Sequence, residues 1–254
     1  MSGRVAFLTP WLLPLALLIV WETSARLGWL DGQILPSPEE VITALFGLLR
    51  SGELAQHVAV SAARALSGFV VGGSLGFALG LCNGWMSWAE RLLDTSLQML
   101  RNIPHLALLP LLILWFGIGE ETKILLVVLG VFFPVYVNTL MGLKTVDPQL
   151  VEMARSYGLS GYGLFRDVLF PGALPSILVG VRYALGIMWI TLIVAETVAS
   201  SSGIGYLAMN AREFMQTDVV VLSILIYALL GKLADWAAHG LERRLLAWHP
   251  AYRR

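Results

Sequence analysis

Charge is scarce in this chain and cysteine nearly absent. Only 13% of its 254 residues are charged, against about 25% in soluble domains, while 57% are hydrophobic. With a mean hydropathy of +0.74, a soluble globular protein is excluded and an integral membrane protein is implied. Seventeen basic and seventeen acidic residues cancel, so the basic excess of a nucleic-acid binder is missing. Cys82 is the sole cysteine, which rules out an intrachain disulfide. The nearest approach to a Walker A loop is Gly231-Lys232, but Leu233 follows it and the upstream glycine is lacking. His105 has no second His or Cys at ligand spacing, so it reads as an interfacial residue and not a metal ligand. Gly72, Ser74 and Gly76 match G-x-S-x-G, but mid-helix, where a hydrolase elbow cannot form. No nucleophile–base pair or metal cluster is visible, so an enzyme and a cofactor both lack support.

What the chain does have is apolar blocks at a spacing that suits membrane crossing. They run roughly over Phe7–Trp21, Ala65–Trp85, Pro104–Phe116, Ile124–Leu143, Ala173–Val198 and Val219–Trp236. About 20 apolar residues cross a hydrocarbon core of about 30 Å, so six helical spans are predicted, the third being the shortest. Nothing marks a separate soluble domain, and residues 1–254 read as one all-α unit. The first block runs into Trp21 and Glu22 without a small-residue cleavage site, which favours a retained anchor over a cleaved signal peptide. After it, Ser37 or Pro38 opens an amphipathic helix through Leu49, predicted to lie across the bundle or the membrane interface. In the second span Gly68, Gly72, Gly76, Gly80 and Gly84 recur every fourth residue and form a ridge that lets another helix approach closely in lipid. Ser87, Glu90, Arg91 and Asp94 read as a polar turn, and GIGEETK as a short link.

Intramembrane charges usually face a cavity or a partner. Arg182 and Glu196, both in the fifth span, are therefore candidate pathway residues, whereas Lys232 and Asp235 lie three apart and suggest a local ion pair. Six spans place both termini and the second and fourth connections on one side. That side holds Arg4, Arg91, Arg101, Lys144, Arg155, Arg166, Arg243, Arg244, Arg253 and Arg254, against Arg26, Arg50, Arg64, Lys123 and Arg212 on the other. The bias puts the termini in the cytoplasm.

The same side carries the most polar stretch between two spans, Val151–Pro171, within a loop of about residues 145–171. Asp147 can cap and Pro148 suits the first helical position. Gly158 allows the positive φ that stops a helix, and Pro171 is predicted to close a second short one. The expectation is a helix–turn–helix protruding from the membrane.

Glu152-Met153-Ala154, three residues, Gly158, nine residues, then Val168-Leu169-Phe170-Pro171 resembles the EAA loop of binding-protein-dependent ABC importers. Met153, Val168 and Phe170 depart from that pattern but stay apolar. MLRNIPHLALLPLLILWFGIGE, PGALPSI and GIGYLAMNAREFMQTDVVV extend the likeness over nearly the whole chain, to aliphatic sulfonate permeases of the sulfonate, nitrate and taurine branch. The resemblance implies a six-helix type I importer permease fold in a bacterial inner membrane. It also implies a homodimer, two cytoplasmic ATPase subunits that hydrolyse the ATP, and an outer solute-binding protein. Glu152, Met153, Ala154, Arg155, Gly158 and Pro171 would then couple the ATPase to rocking of the spans. An ion-driven secondary carrier is the rival class. It would show inverted repeats, paired broken helices and intramembrane acids, and of the acids only Glu196 stands well inside a span.

Overall fold

Pro, Gly and capping side chains punctuate a chain that is helical almost throughout. The computed structural model describes residues 3–29 and 31–249, without the side chains of residues 3–11 and 199. Arg253, Arg254 and the side chain of Arg4, all counted for orientation, lie outside the described residues, as do the side chains at the start of the first apolar block. In chain order the helices are α1 (Gly3–Arg26), α2 (Pro38–Arg50), α3 (Glu53–Trp85), α4 (Ser87–Arg101), α5 (Leu109–Phe116) and α6 (Glu120–Lys144). They continue with α7 (Pro148–Ser156), α8 (Gly161–Leu164), α9 (Phe170–Ala199), α10 (Ile204–Glu213) and α11 (Thr217–Leu245). A 3-10 turn, His105–Leu108, leads into α5, and a π-helical turn, Phe165–Leu169, joins α8 to α9.

Among the described residues four stretches are long and apolar enough to cross a membrane: α3, α6, Gly161–Val198 and α11. A fifth arises if α4 and His105–Phe116, bent by 81° at a short break, count as one crossing. The third predicted span is therefore corrected. His105–Phe116 has 12 residues, about 18 Å of helix at 1.5 Å per residue, too little for the hydrocarbon core. The predicted polar turn before it is instead the 15-residue helix α4. Its inward stripe includes Ala89, Glu90, Leu93, Asp94 and Leu97, at the three-to-four spacing of one helix face. Glu90 pairs with Lys144, and Asp94 accepts from the Tyr136 hydroxyl at 3.0 Å. Two of the polar residues that suggested a turn, Glu90 and Asp94, are thus α4's contacts with α6. The helix ends where Pro104 forces Ile103 away from the α region.

The chain divides into two compact units, residues 1–60 with 201–227, and residues 61–200 with 228–254. In the first, Ser37 caps α2 and Glu40 reaches back to complete a capping box, with Pro38 in the first turn. The Trp21 indole donates to the Pro36 carbonyl at 3.0 Å, tying α1 to the start of α2. His57, buried near the start of α3, accepts from the Gly203 N–H at 3.0 Å and fixes the entry to α10. The segment Glu53–Arg64, which precedes the predicted second span, is the first third of α3.

The second unit is built on α6, which packs along α3 on one side and α9 on the other. Every glycine of the ridge meets α6. A Cβ on Gly72 would stand 2.5 Å from the Val128 carbonyl oxygen, and one on Gly76 2.4 Å from that of Phe132. Gly68, Gly80 and Gly84 are as close to Val127, Thr139 and Leu143. At Gly72 and Gly76 the two helices touch backbone to backbone, while at Gly68, Gly80 and Gly84 the space is filled by side chains of α6. Gly142 and Gly180 do the same for the α6–α9 seam, against Ala173 and Asn138 respectively. Across the ridge, Asn83 donates to the Tyr136 hydroxyl at 2.8 Å, so one tyrosine links α3, α6 and α4.

Candidate coupling loop and buried ion network

The loop after α6 is shaped by local backbone chemistry. The Asp147 side chain accepts from the Gln149 N–H at 2.9 Å, and Pro148 occupies the first turn of α7. At the other end Gly158 has φ +84°. Its N–H donates to the Arg155 carbonyl at 2.9 Å, and the Leu159 N–H to the Ala154 carbonyl at 3.0 Å. This pair of reversed bonds is a Schellman motif. It turns the chain so that Leu159 and Ala154 line one cavity of about 430 Å³ with Pro171 and Trp248.

Pro171 does not close a helix. The chain runs helically from Gly161 to Val198, and Pro171 sits in the first turn of α9. The preceding π-turn makes this possible. The Phe170 N–H reaches back five residues to the Phe165 carbonyl, which widens the backbone one residue before the proline ring. The second helix of the loop is therefore continuous with a span.

The loop's own side chains divide by exposure. Ala154 is buried, so its small size serves packing within the loop. Glu152 and Arg155 are exposed, as are Leu150, Met153, Tyr157 and Tyr162. Beneath this surface the loop is clamped to the spans by aromatic rings. Phe165 stacks on Trp85 at 4.9 Å and meets Phe170 at 6.0 Å, and Phe170 packs edge-on to Phe77 at 6.5 Å. Leu143, Ala173 and Ile177 complete that core.

At the opposite end of the spans lies a cluster of charges. The Arg64 guanidinium, 3% exposed, donates to Glu196 at 2.8 Å, to Ser200 at 3.2 Å and to Glu120. Glu196 also accepts from the Ser61 hydroxyl at 2.8 Å, and Lys123 donates to Glu120 at 2.8 Å. Three helices, α3, α6 and α9, are cross-linked here. Glu120 reaches the surface, but Arg64, Lys123 and Glu196 are buried, which is tolerable only because each is paired and hydrogen-bonded.

The two candidate pathway residues are not brought together. Fourteen residues separate them on α9, about 21 Å along the axis. Glu196 belongs to the buried network, while Arg182 donates to Asp235 at 2.8 Å and lies 3.6 Å from Glu242, both on α11. Lys232 and Asp235 do pair, at 3.0 Å, and Asp235 is shared with Arg182. Sequence reasoning missed Arg64 and Lys123 as buried ions by assigning both to connections. The available signal was Arg64's setting in Ser61-Ala-Ala-Arg-Ala, small residues that leave room for a guanidinium within a helical bundle.

A helical bundle with a helix–turn–helix clamped to its spans is the architecture of a transport-system membrane subunit. Residues 68–247 match the family described as binding-protein-dependent transport system inner membrane component. The chain belongs to that family. It is 64% identical, over 96% of its own length and 92% of the relative's, to the aliphatic sulfonates transport permease protein SsuC of Escherichia coli (strain K12). The like-named protein of Bacillus subtilis (strain 168) is 45% identical over 98% of this chain and 90% of its own. The taurine transport system permease protein TauC of E. coli is 37% identical over 92% and 86%. Among solved structures, the inward-facing MetNI methionine ABC transporter matches with a TM-score of 0.55 at 19% identity, covering 71% of this chain and 92% of that one. The fold is that of a type I ABC importer permease.

Proposed function

We propose that this chain is the translocation subunit of an ATP-driven importer of aliphatic sulfonates in the bacterial inner membrane. The observation that carries the substrate is the ordering of the relatives: 64% and 45% identity to two aliphatic sulfonate permeases, 37% to a taurine permease. The whole chain acts as one permease domain, as a homodimer with two cytoplasmic ATPase subunits and an outer solute-binding protein.

The coupling loop supplies the mechanism. Exposed Met153, Leu150 and Tyr157 form its apolar face, with Glu152 and Arg155 alongside. An exposed apolar patch on a polar loop suits a protein partner, here a groove on the ATPase. Ala154, Gly158 and Pro171 act one step behind that face, through the turn that shapes it and the π-turn that joins it to α9. Closing of the ATPase dimer then moves the loop, and the Trp85–Phe165–Phe170 clamp passes the motion to α3 and α9. Because ATP is hydrolysed by the partner, no catalytic residue is assigned to this chain.

With α1 as the first crossing and the bent α4–α5 pair as the third, both termini and the loop lie in the cytoplasm. Arg64 and Lys123 are internal ions and Arg101 lines a cavity, so they drop out of the topological count. What remains is Arg4, Arg91, Lys144, Arg155, Arg166, Arg243, Arg244, Arg253 and Arg254 against Arg26, Arg50 and Arg212, a stronger bias of the same sign.

The test is growth of a strain lacking this chain, and any second uptake system, on a medium-chain alkanesulfonate as sole sulfur source. Sulfate and taurine serve as controls. Loss on the alkanesulfonate alone, restored by the chain, is the expected result. Unimpaired growth would move the substrate to taurine, nitrate or another small solute.

A further inference from the structure

The break between α4 and α5 opens a cavity that the coupling mechanism does not use. It has a volume of about 330 Å³ and lies against Leu129–Asn138, the middle of α6, with Tyr183 and Ile187 of α9 on its far side. Irregular backbone at membrane depth is tolerated where it lines a cavity, and the Asn102–Pro104 break does so beside Arg101, Ile103 and His105. His105 is held on the wall by its 3.1 Å hydrogen bond to Thr191. Gly130 makes that bond possible, since a Cβ there would lie 2.8 Å from the Thr191 hydroxyl.

Arg101 sets this cavity apart. Arg182, the cation of a neighbouring cavity, is engaged by two carboxylates, whereas Arg101 has no ion pair among the described residues. Among the described residues no acidic side chain lines the cavity either, and Leu129, Phe133, Val137 and Ile187 make much of its wall apolar. Arg101 is exposed in the isolated chain, and a guanidinium left open beside an apolar wall at membrane depth suits an oxyanion. The volume is at the small end of ligand sites, about 300–1,000 Å³.

We infer that this cavity is a transit site within the permease for a monoanion with a short alkyl body. Arg101 takes the sulfonate oxygens, the Tyr183 hydroxyl adds a second donor, and Phe133, Leu129 and Ile187 hold the chain. The assignment rests on the sulfonate reading above and adds a selectivity to it. Sulfate would bring a second negative charge without a second cation. Taurine would bring an ammonium group with no carboxylate to receive it. Both are disfavoured at this step, independently of the solute-binding protein.

The experiment is uptake per ATP hydrolysed by the complete transporter in proteoliposomes, with ethane-, hexane- and octanesulfonate presented on the same binding protein. Arg101→Ala should cut hexanesulfonate uptake per ATP at least tenfold, and Arg101→Lys less than threefold. Phe133→Trp, which fills the cavity, should lower the octane-to-ethanesulfonate ratio at least fivefold. Uptake by Arg101→Ala within twofold of wild type would overturn the inference. Should that variant fail to assemble, an unchanged chain-length ratio in Phe133→Trp would overturn it equally. An anionic lipid headgroup has the same chemistry. If the Arg101→Ala defect vanishes in vesicles of phosphatidylcholine alone and returns with phosphatidylglycerol, the cavity holds lipid and the inference fails. Absence of alkanesulfonate uptake by wild type would remove the functional reading itself, and is distinguishable from all of these.

Discussion

Replacing Arg64 with methionine keeps an unbranched side chain in a buried site but takes the guanidinium away from Glu196, whose carboxylate is fully buried. The Ser61 hydroxyl remains among its donors, but a neutral donor does not balance a buried charge. Removing one partner of such a pair costs about 3–5 kcal/mol. Glu196→Gln is milder, because the amide keeps the shape of the site and Arg64 retains Glu120. Its cost should be that of weakened hydrogen bonds, about 1–3 kcal/mol. Combined, the two changes remove both charges at once, so the double variant should be more stable than the sum of single losses implies, by about 1–3 kcal/mol. Thermal unfolding of the detergent-purified chain reads this as shifts of about 2–4 °C per kcal/mol for a chain of this size. Two single variants within about 1 kcal/mol of wild type, or a strictly additive cycle, would refute the view that this network cross-links α3, α6 and α9.

Three further outcomes follow from local geometry. Gly76→Ala should destabilise by about 1–3 kcal/mol, since its Cβ meets the Phe132 carbonyl, whereas Gly47→Ala on α2 meets open space and should gain about 0.5–1 kcal/mol; thermal unfolding checks both. At Gly158 nothing crowds a side chain and only the left-handed backbone resists it. Gly158→Val should therefore insert in the membrane yet lose ATPase co-purification and uptake, while Gly158→Asn, which accepts that conformation, keeps both. Removing the α2 cap with Ser37→Ala should cost about 0.5–2 kcal/mol in the same unfolding assay.

How far the sequence disclosed these features depended on how local their causes are. Ser37, Pro38, Asp147, Pro148 and Gly158 act within a few residues, and the starts of α2 and α7 and the positive φ that ends α7 were legible from them. The period-four glycines likewise told which face of α3 is small, though not that α6 fills it. The errors came where the deciding partner is distant. Glu90 and Asp94 looked like turn residues because their partners, Lys144 and Tyr136, are 54 and 42 residues away. Arg64 looked like a loop cation because Glu196 lies 132 residues on. Pro171 looked like a helix stop because a π-turn, which absorbs the proline, leaves no residue signature. The cavity beside Arg101 was invisible for a related reason: it exists only where the α4–α5 break, α6 and α9 converge.

The most direct test of the whole account is uptake of radiolabelled hexanesulfonate into membrane vesicles that hold the complete transporter, loaded with ATP or with a non-hydrolysable analogue. With ATP, the account predicts accumulation that survives an ionophore collapsing the proton gradient; with the analogue, none. Uptake that continues with the analogue and stops with the ionophore would contradict it, and would make the chain an ion-driven carrier.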